Sequence, residues 1–247
     1  EIASCLVGSE MCIRDSLAAT DAFRPENPGQ PFTHNGPDRQ RSGFFQIQTK
    51  PAMENLLETA AANQRRAREI IRTTGLEAIW RSVGAEPRLV GSLRTGLLMT
   101  HRDIDYHIYS APLRTADSFA AMARLAEDRH IRRVEFANLL DAGDRCLEWH
   151  AQYVDDEGAA WQIDMIHMET GSPWDGYFER VADRIAAVLT DETRLTILRL
   201  KYETPLAEKI PGIRYCEAVL RDGVRTREEF AAWLAAHPAG GIVTWMP

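Results

Sequence analysis

The stretch that decides the fold is LVGSLRTGLLMTHRDIDYHIYS, Leu89 to Ser110. Near its end, two aspartates interrupt the isoleucines and tyrosines of DIDYHIY, a run that is otherwise typical of a buried strand. Because successive side chains of a strand point to opposite faces, Asp103 and Asp105 project from one face about 7 Å apart, whereas Ile104 and Tyr106 project from the other. We therefore predict a strand with one core face and one charged face.

This pair of aspartates is unfavourable unless something binds between them. Two carboxylates this close repel, and each raises the pKa of the other. A divalent cation removes the repulsion, and carboxylate oxygens are hard ligands suited to Mg²⁺, whose octahedron substrate phosphates complete. The alternative is a solvent-facing edge strand whose charges deter aggregation. A lone D-x-D leaves both interpretations open.

Two further segments favour the metal. Gly91 and Ser92 come at the end of the preceding strand, EPRLVG, and ten residues separate Ser92 from Asp103. A glycine lets the backbone approach a ligand closely, and a serine hydroxyl with exposed turn N–H groups can hold phosphate oxygens. Downstream, the apolar strand WQIDMIHM contains Asp164, a carboxylate that is costly to bury unless it is paired or metal-bound. An ion pair with a nearby arginine is the alternative for Asp164.

The rest of the chain predicts an α+β fold. Helical spacing follows Met53 as far as Gly75, and a loop is expected between Gly91 and the DIDYHIY strand. Three more strands occupy residues 131–168, the last two joined by the hairpin turn DEG, and only helical patterns follow Pro173. We predict a small mixed β-sheet core with flanking helices over residues 51–172, and a helical C-terminal region over residues 173–247.

Residues 1–50 are set apart from this fold. The segment LVGSEMCIRDS within residues 1–16 resembles the translation of a sequencing adapter. Residues 17–50 are rich in Pro, Gly, Asn and Gln and show no periodicity, which predicts a disordered leader. Met53 is a candidate for the native start.

Composition restricts the function classes. A chain of 247 residues with 45% hydrophobic residues can bury one core and a helical annex. The net charge of −7 disfavours a protein that binds duplex nucleic acid. No apolar run approaches the roughly 20 residues of a membrane span. Outside the adapter-like segment only Cys146 and Cys216 remain, far apart, which is typical of a reducing compartment and predicts a cytoplasmic protein.

Taken together, these motifs are specific enough to indicate a protein superfamily. Gly91-Ser92, ten intervening residues, Asp103-Ile104-Asp105-Tyr106 and a later apolar strand with Asp164 resemble the signature of the DNA polymerase beta-like nucleotidyltransferase superfamily. Within it, THRDIDYHI is most similar to the small-molecule branch, which includes lincosamide and aminoglycoside nucleotidyltransferases. The chain departs from the lincosamide enzymes in having Gly-Ser where they usually have Gly-Gly-Trp.

The resemblance implies a reaction and a set of site residues. A nucleoside monophosphate would pass from a nucleoside triphosphate to a hydroxyl of a small-molecule acceptor. Asp103 and Asp105 would hold two Mg²⁺ ions, for which Mn²⁺ could substitute. Asp164 would be the third metal ligand, completing the site of the catalytic ion, and would accept the hydroxyl proton. The nucleotide-binding set would be Gly91, Ser92, Arg94 and Arg102.

Two other functions are compatible with the same motifs. One is an antitoxin-like or otherwise non-transferring interaction protein of the same fold, and a more remote one is a D-x-D glycosyltransferase. The histidines at 107, 150 and 167 share no ligand spacing, so we interpret them as hydrogen-bonded sheet residues and not as a zinc site. In the helical region, we expect at least one of Arg194, Arg199 and Lys201 to face the triphosphate. The sequence does not indicate an oligomeric state.

Overall fold

A five-stranded mixed sheet forms the centre of the fold. The computed structural model describes residues 53–238 and 243–247. The strand order is β1-β2-β5-β4-β3, in which β2 and β5 are parallel and the other neighbours are antiparallel. The strands are β1 (Glu86–Leu89), β2 (Asp103–Ser110), β3 (Ile131–Leu139), β4 (Cys146–Val154) and β5 (Ala160–Glu169).

Eight helices flank or follow the sheet in the described residues, which confirms the predicted α+β class. After β5 the described elements are all helices, as predicted for the C-terminal region. The helices are α1 (Met53–Thr74), α2 (Leu76–Arg81), α3 (Gly91–Thr95), α4 (Thr115–Leu125), α5 (Tyr177–Val188), α6 (Asp191–Glu203), α7 (Gly212–Leu220) and α8 (Arg227–Ala236).

One expectation about local structure was wrong. The residues after Val90 were predicted as a loop, but Gly91–Thr95 form the short helix α3. The Thr95 hydroxyl donates to the Gly91 and Ser92 carbonyls, and Gly96, with φ 76°, ends the helix in the left-handed conformation. Five residues are too few to show a 3.6-residue period, so the sequence pattern carried no helical signal.

The two faces of β2 have the predicted division. Ile104, Tyr106 and Ile108 are buried in the main core, where they pack with the inward side chains of β4 and β5. Residues of α1, α2 and α4 cover this face; among them are Ile70, Trp80, Leu76, Ala121 and Leu125. The face that carries Asp103 and Asp105 is the opposite one. α3 packs on β2 there and also contacts α5.

A second core joins the helical region to α1. Leu56 and Ala60 of α1 pack with Leu97 and Met99, which follow α3, and with apolar residues of α5, α6, α7 and α8. All the described residues belong to one compact unit. The predicted boundary between residues 172 and 173 stays a prediction. The adapter-like segment and the leader lie outside the described residues. Within the described ranges, none of the helices has the length and apolar character needed to cross a membrane.

Candidate active site

Strand register places the three predicted aspartates on one face of the sheet. β2 and β5 run parallel with Asp105 paired to Asp164 and Asp103 paired to Gln162. Side chains of paired residues on adjacent strands project from the same face, and the strands lie about 4.8 Å apart. All three carboxylates are buried: the relative exposures are 9% for Asp103, 2% for Asp105 and 1% for Asp164. Two strands distant in sequence therefore bring three acidic groups together.

Gly91 lies directly against one of these carboxylates. The N–H of Val90 donates to the Asp105 carbonyl at 2.9 Å, which fixes the start of α3 on β2. Gly91 has φ +64°, and a Cβ at this position would lie 2.2 Å from Oδ2 of Asp105. Only a residue without a side chain permits this approach. The Gly-Ser segment therefore begins against the Asp105 carboxylate.

Ser92 meets a lysine from the helical region. Lys201 of α6 donates through Nζ to Oγ of Ser92 at 2.6 Å and to the Leu97 carbonyl at 3.2 Å. Lys201 is buried, with 4% relative exposure. Of the three cations predicted near the triphosphate, this one reaches the Gly-Ser segment. The guanidinium of Arg194 donates to the Gly96 carbonyl at 3.2 Å, and that of Arg199 donates to the Arg225 carbonyl at 2.6 Å.

A pocket opens beside Ser92 and Lys201. Its remaining walls are largely apolar and come from α5 and α7, with Phe178, Ile185 and Ile213 among the lining residues. Concave sites with apolar walls and a few polar groups are typical of small-ligand binding. Ser92, Thr95 and Lys201 are the polar side chains among its lining residues.

The two arginines of the predicted nucleotide-binding set have different surroundings. Arg94 forms a two-point ion pair with Asp183 of α5, at 2.7 and 2.9 Å, and donates to the Leu89 carbonyl at 2.9 Å. These bonds hold α3 on α5. Arg102 is exposed, with its guanidinium 5.7 Å from the ring centroid of Trp161. Their predicted contribution to triphosphate binding stays a prediction.

Asp164 contacts a histidine of the neighbouring strand. His150 of β4, opposite Asp164 in the ladder, contacts Oδ1 of Asp164 through Nδ1 at 2.5 Å and Oε1 of Glu148 through Nε2 at 2.9 Å. Burial alone would lower the pKa of His150, but the hydrogen bonds with Asp164 and Glu148 raise that pKa to about 10. The imidazole is therefore protonated at neutral pH and carries a positive charge between two carboxylates.

The other two sheet histidines are neutral. Burial lowers the pKa of His107 to about 3 and that of His167 to about 4. Nε2 of His167 lies 2.8 Å from Oγ of Ser110, as expected for a hydrogen-bonded sheet residue. The expectation was wrong for Nδ1 of His107, which is buried without a hydrogen-bond partner among the described residues because its ring packs edge-on against Phe178, with 5.1 Å between ring centroids. Their packing is that of structural sheet residues.

The donor set fits Mg²⁺ only in part. In the described part of the chain, no three His, Cys, Asp or Glu side chains are arranged to hold a metal ion by themselves. Mg²⁺ is usually held by one or two carboxylates together with substrate phosphates, and Asp103 and Asp105 supply such a pair beside the Gly-Ser segment. Oδ1 of Asp164 faces His150 and the Gln162 amide, which donates to it at 2.9 Å. A complete site therefore requires the nucleotide's own oxygens.

Sequence reasoning did not identify the partner of Asp164. His150 was interpreted as hydrogen-bonded without a named acceptor, and Glu148 was not singled out. A signal was present, because the hairpin turn after β4 fixes the register of β4 on β5. Counting four residues away from the turn on each strand, starting from the pair of Val154 and Ala160, leads to His150 and Asp164.

Comparison with solved structures finds proteins of related shape. A structure of the Cid1 poly(U) polymerase with MgGTP bound is 14% identical, with a TM-score of 0.49, and the match covers 68% of this chain and 54% of that chain. A cytoplasmic RNA terminal U-transferase is 15% identical, with a TM-score of 0.46, and the match covers 68% of this chain and 52% of that chain. The chain thus spans about half the length of these proteins. No family model matches it, and no curated protein matches it.

Proposed function

We propose that the protein is a metal-dependent nucleotidyltransferase that moves a nucleoside monophosphate from a nucleoside triphosphate to a hydroxyl of an acceptor. One observation carries the proposal: the buried face shared by Asp103, Asp105 and Asp164 lies against Gly91, whose neighbour Ser92 is hydrogen-bonded to Lys201. A carboxylate group and a cationic, hydroxyl-bearing group thus adjoin each other. A metal–triphosphate complex needs both kinds of partner.

Each of the three aspartates has a role in such a reaction. Asp103 and Asp105 would hold the metal, which supplies a lowered pKa at the acceptor hydroxyl and charge neutralisation at the departing pyrophosphate. The acceptor oxygen forms a bond to the α-phosphorus as the bond from that phosphorus to the bridging oxygen breaks. Asp164, on the neighbouring strand, takes the hydroxyl proton. Pyrophosphate leaves as the second product.

The triphosphate is assigned to the Gly-Ser side of the site. Ser92 offers a hydroxyl, and Lys201, which donates to that hydroxyl and to the Leu97 carbonyl, brings a positive charge to this segment from a buried position. Gly91 keeps the backbone close to Asp105, so the metal-bound oxygens and the terminal phosphates can be held together. Arg102 is close in sequence to Asp103 and adds a positive charge at the exposed side.

A small molecule is the proposed acceptor. The support is the similarity of THRDIDYHI to the small-molecule branch of the superfamily and the net charge of −7, which disfavours binding along a polyanion. The acceptor is the least constrained part of the proposal, so its test includes both small molecules and RNA.

The test is direct. Purified protein with Mg²⁺ and each of the four nucleoside triphosphates is incubated with hydroxylated small molecules, aminoglycosides and lincosamides among them, or with a short single-stranded RNA. We expect pyrophosphate release that needs both metal and acceptor, and mass spectrometry should show an acceptor heavier by one nucleoside monophosphate. Transfer to RNA alone would overturn the small-molecule assignment. Triphosphate binding without any transfer would favour the non-transferring interaction protein.

Replacing Lys201 with methionine should weaken triphosphate binding about tenfold or more, because a charge-assisted hydrogen bond contributes about 1.5–3 kcal/mol. Methionine keeps the apolar stem that packs in the helical core but gives up the hydrogen bonds to Ser92 and to the Leu97 carbonyl, so some loss of melting temperature is expected as well. Arg199→Met is the matched control, since Arg199 lies on the same helix and donates to the Arg225 carbonyl. Calorimetric titration with a non-hydrolysable ATP analogue measures both. Equal affinities in the two variants would remove Lys201 from the triphosphate site.

A further inference from the structure

Glu148, His150 and Asp164 form a continuous chain of hydrogen bonds across β4 and β5. Nε2 of His150 lies 2.9 Å from Oε1 of Glu148, and Nδ1 lies 2.5 Å from Oδ1 of Asp164. Glu148 and His150 are two residues apart on β4, so their side chains share the face that carries Asp164. Both ring nitrogens are engaged, which fixes the orientation of the imidazole.

This chain fixes one edge of the Asp164 carboxylate. Oδ1 receives the His150 contact and a hydrogen bond of 2.9 Å from Nε2 of Gln162. With Oδ1 held by two donors, the plane of the carboxylate is set, and so is the direction in which Oδ2 projects. β4 lies on the side of β5 opposite β2, so His150 holds Asp164 from the side away from Asp105.

The stability that this ion pair adds to the fold does not by itself explain why it occurs here. Asp164 is 1% exposed at its side chain, Glu148 12% and His150 27%. Removing charges from water costs about as much as their attraction returns, and well-packed apolar residues are often equally stabilising. A chain of three such groups that ends on a candidate catalytic carboxylate is better explained by its effect on that carboxylate.

We propose that His150 is a positioning residue for Asp164, and that Glu148 in turn positions His150. The inference rests on the proposed function, because Asp164 must be aimed at the acceptor hydroxyl and the metal for its orientation to matter. Groups that orient a metal ligand or a catalytic carboxylate usually contribute 10- to 100-fold to affinity or rate. Without His150, Oδ1 of Asp164 loses one of the two donors described on it, and the plane of the carboxylate is less tightly fixed.

The experiment compares His150→Leu with His150→Asn. Asparagine places an amide N–H near the former Nδ1 and can still donate to Asp164, whereas leucine cannot. We expect His150→Leu to lower kcat by about 10- to 100-fold with the KM for the nucleoside triphosphate within about twofold of wild type. His150→Asn should recover most of the rate. Mn²⁺ titrated calorimetrically with a non-hydrolysable ATP analogue should bind His150→Leu more weakly and His150→Asn nearly as well as wild type.

His130 offers a matched control. Its ring also lies between two carboxylates, with Nδ1 2.9 Å from Asp128 and Nε2 3.2 Å from Asp156, but it lies at the start of β3 away from the aspartate face. His130→Leu should leave kcat and Mn²⁺ binding unchanged. Equal kcat losses in His130→Leu and His150→Leu, or a His150→Asn variant as impaired as His150→Leu, would overturn the positioning role. Wild-type protein that neither releases pyrophosphate nor binds Mn²⁺ would overturn the proposed function itself and this inference with it.

Discussion

Replacing Asp105 with asparagine should lower nucleotidyl transfer by about 10³-fold, which corresponds to about 4 kcal/mol of transition-state stabilisation. Asp105 is the carboxylate that lies against Gly91 and beside Asp164, so it is central to the face on which the metal and the triphosphate would meet. Asparagine keeps the shape of the side chain but loses the charge that holds Mg²⁺. Asp103→Asn should have a similar effect for the same reason.

The stability of these variants separates metal chemistry from structural ion pairing. Asp103→Asn and Asp105→Asn relieve the repulsion between two like charges on a single strand face, and urea denaturation without metal measures how far that relief offsets the contacts that each carboxylate makes in the fold. Asp164→Asn removes the anionic partner of His150 and should lower the free energy of unfolding by about 1–3 kcal/mol, a range reduced because His150 is partly exposed. All three variants should lose the added stability that Mg²⁺ with a nucleoside triphosphate gives the wild type.

The control for this set is Asp141→Asn, an exposed aspartate between β3 and β4. It should keep its activity and its response to metal. Retention of more than a tenth of the wild-type rate by Asp105→Asn, under conditions where Asp141→Asn is fully active, would show that Asp105 does not belong to the reaction centre. A large loss of metal-free stability in Asp105→Asn with its metal response intact would make that carboxylate a structural one.

Local patterns were sufficient to predict the strand that carries the site. The alternation in DIDYHIY predicted which residues of β2 face the core, and Ile104, Tyr106 and Ile108 are buried there. The apolar surroundings of Asp164 predicted a neighbouring strand, and β5 is that neighbour. These inferences succeeded because a two-residue period can be read within eight residues.

Contacts between segments that are distant in sequence could not be predicted from local patterns. Lys201 and Ser92 are 109 residues apart in sequence, and nothing local distinguishes Lys201 from Arg194 or Arg199 on the same helix. Its position follows from how α6 packs against α1 and the residues after α3, a property of the assembled core. The helix α3 was not predicted for a different reason: its stabilising bonds are local, but its five residues are too few for an apolar pattern to repeat.

Replacing Gly91 with alanine should destabilise the protein by about 2–5 kcal/mol, the sum of two separate effects. Its φ of +64° lies in the left-handed region, which costs an L-residue about 1–2 kcal/mol. The new Cβ would also lie 2.2 Å from Oδ2, 2.8 Å from Cγ and 3.0 Å from Cβ of Asp105. Rotation of the carboxylate alone cannot relieve contacts that extend to Cβ, so α3 or β2 must shift, and such overpacking costs about 1–3 kcal/mol.

Gly84→Ala isolates the first effect, because Gly84 has φ +78° and a Cβ there would meet nothing within 4 Å. It should lose only about 1–2 kcal/mol. Asp105→Ala tests the second effect when it is combined with Gly91→Ala, since the double variant lacks the carboxylate that the new methyl would strike. Urea denaturation is measured for the wild type, Gly91→Ala, Asp105→Ala and the double variant. The double variant should lose less free energy of unfolding than the sum of the two single losses, by at least about 1 kcal/mol. Additive losses would mean that Gly91 and Asp105 do not press on each other, and the close approach of the Gly-Ser segment to the aspartates, on which the assignment of the triphosphate depends, would have to be abandoned.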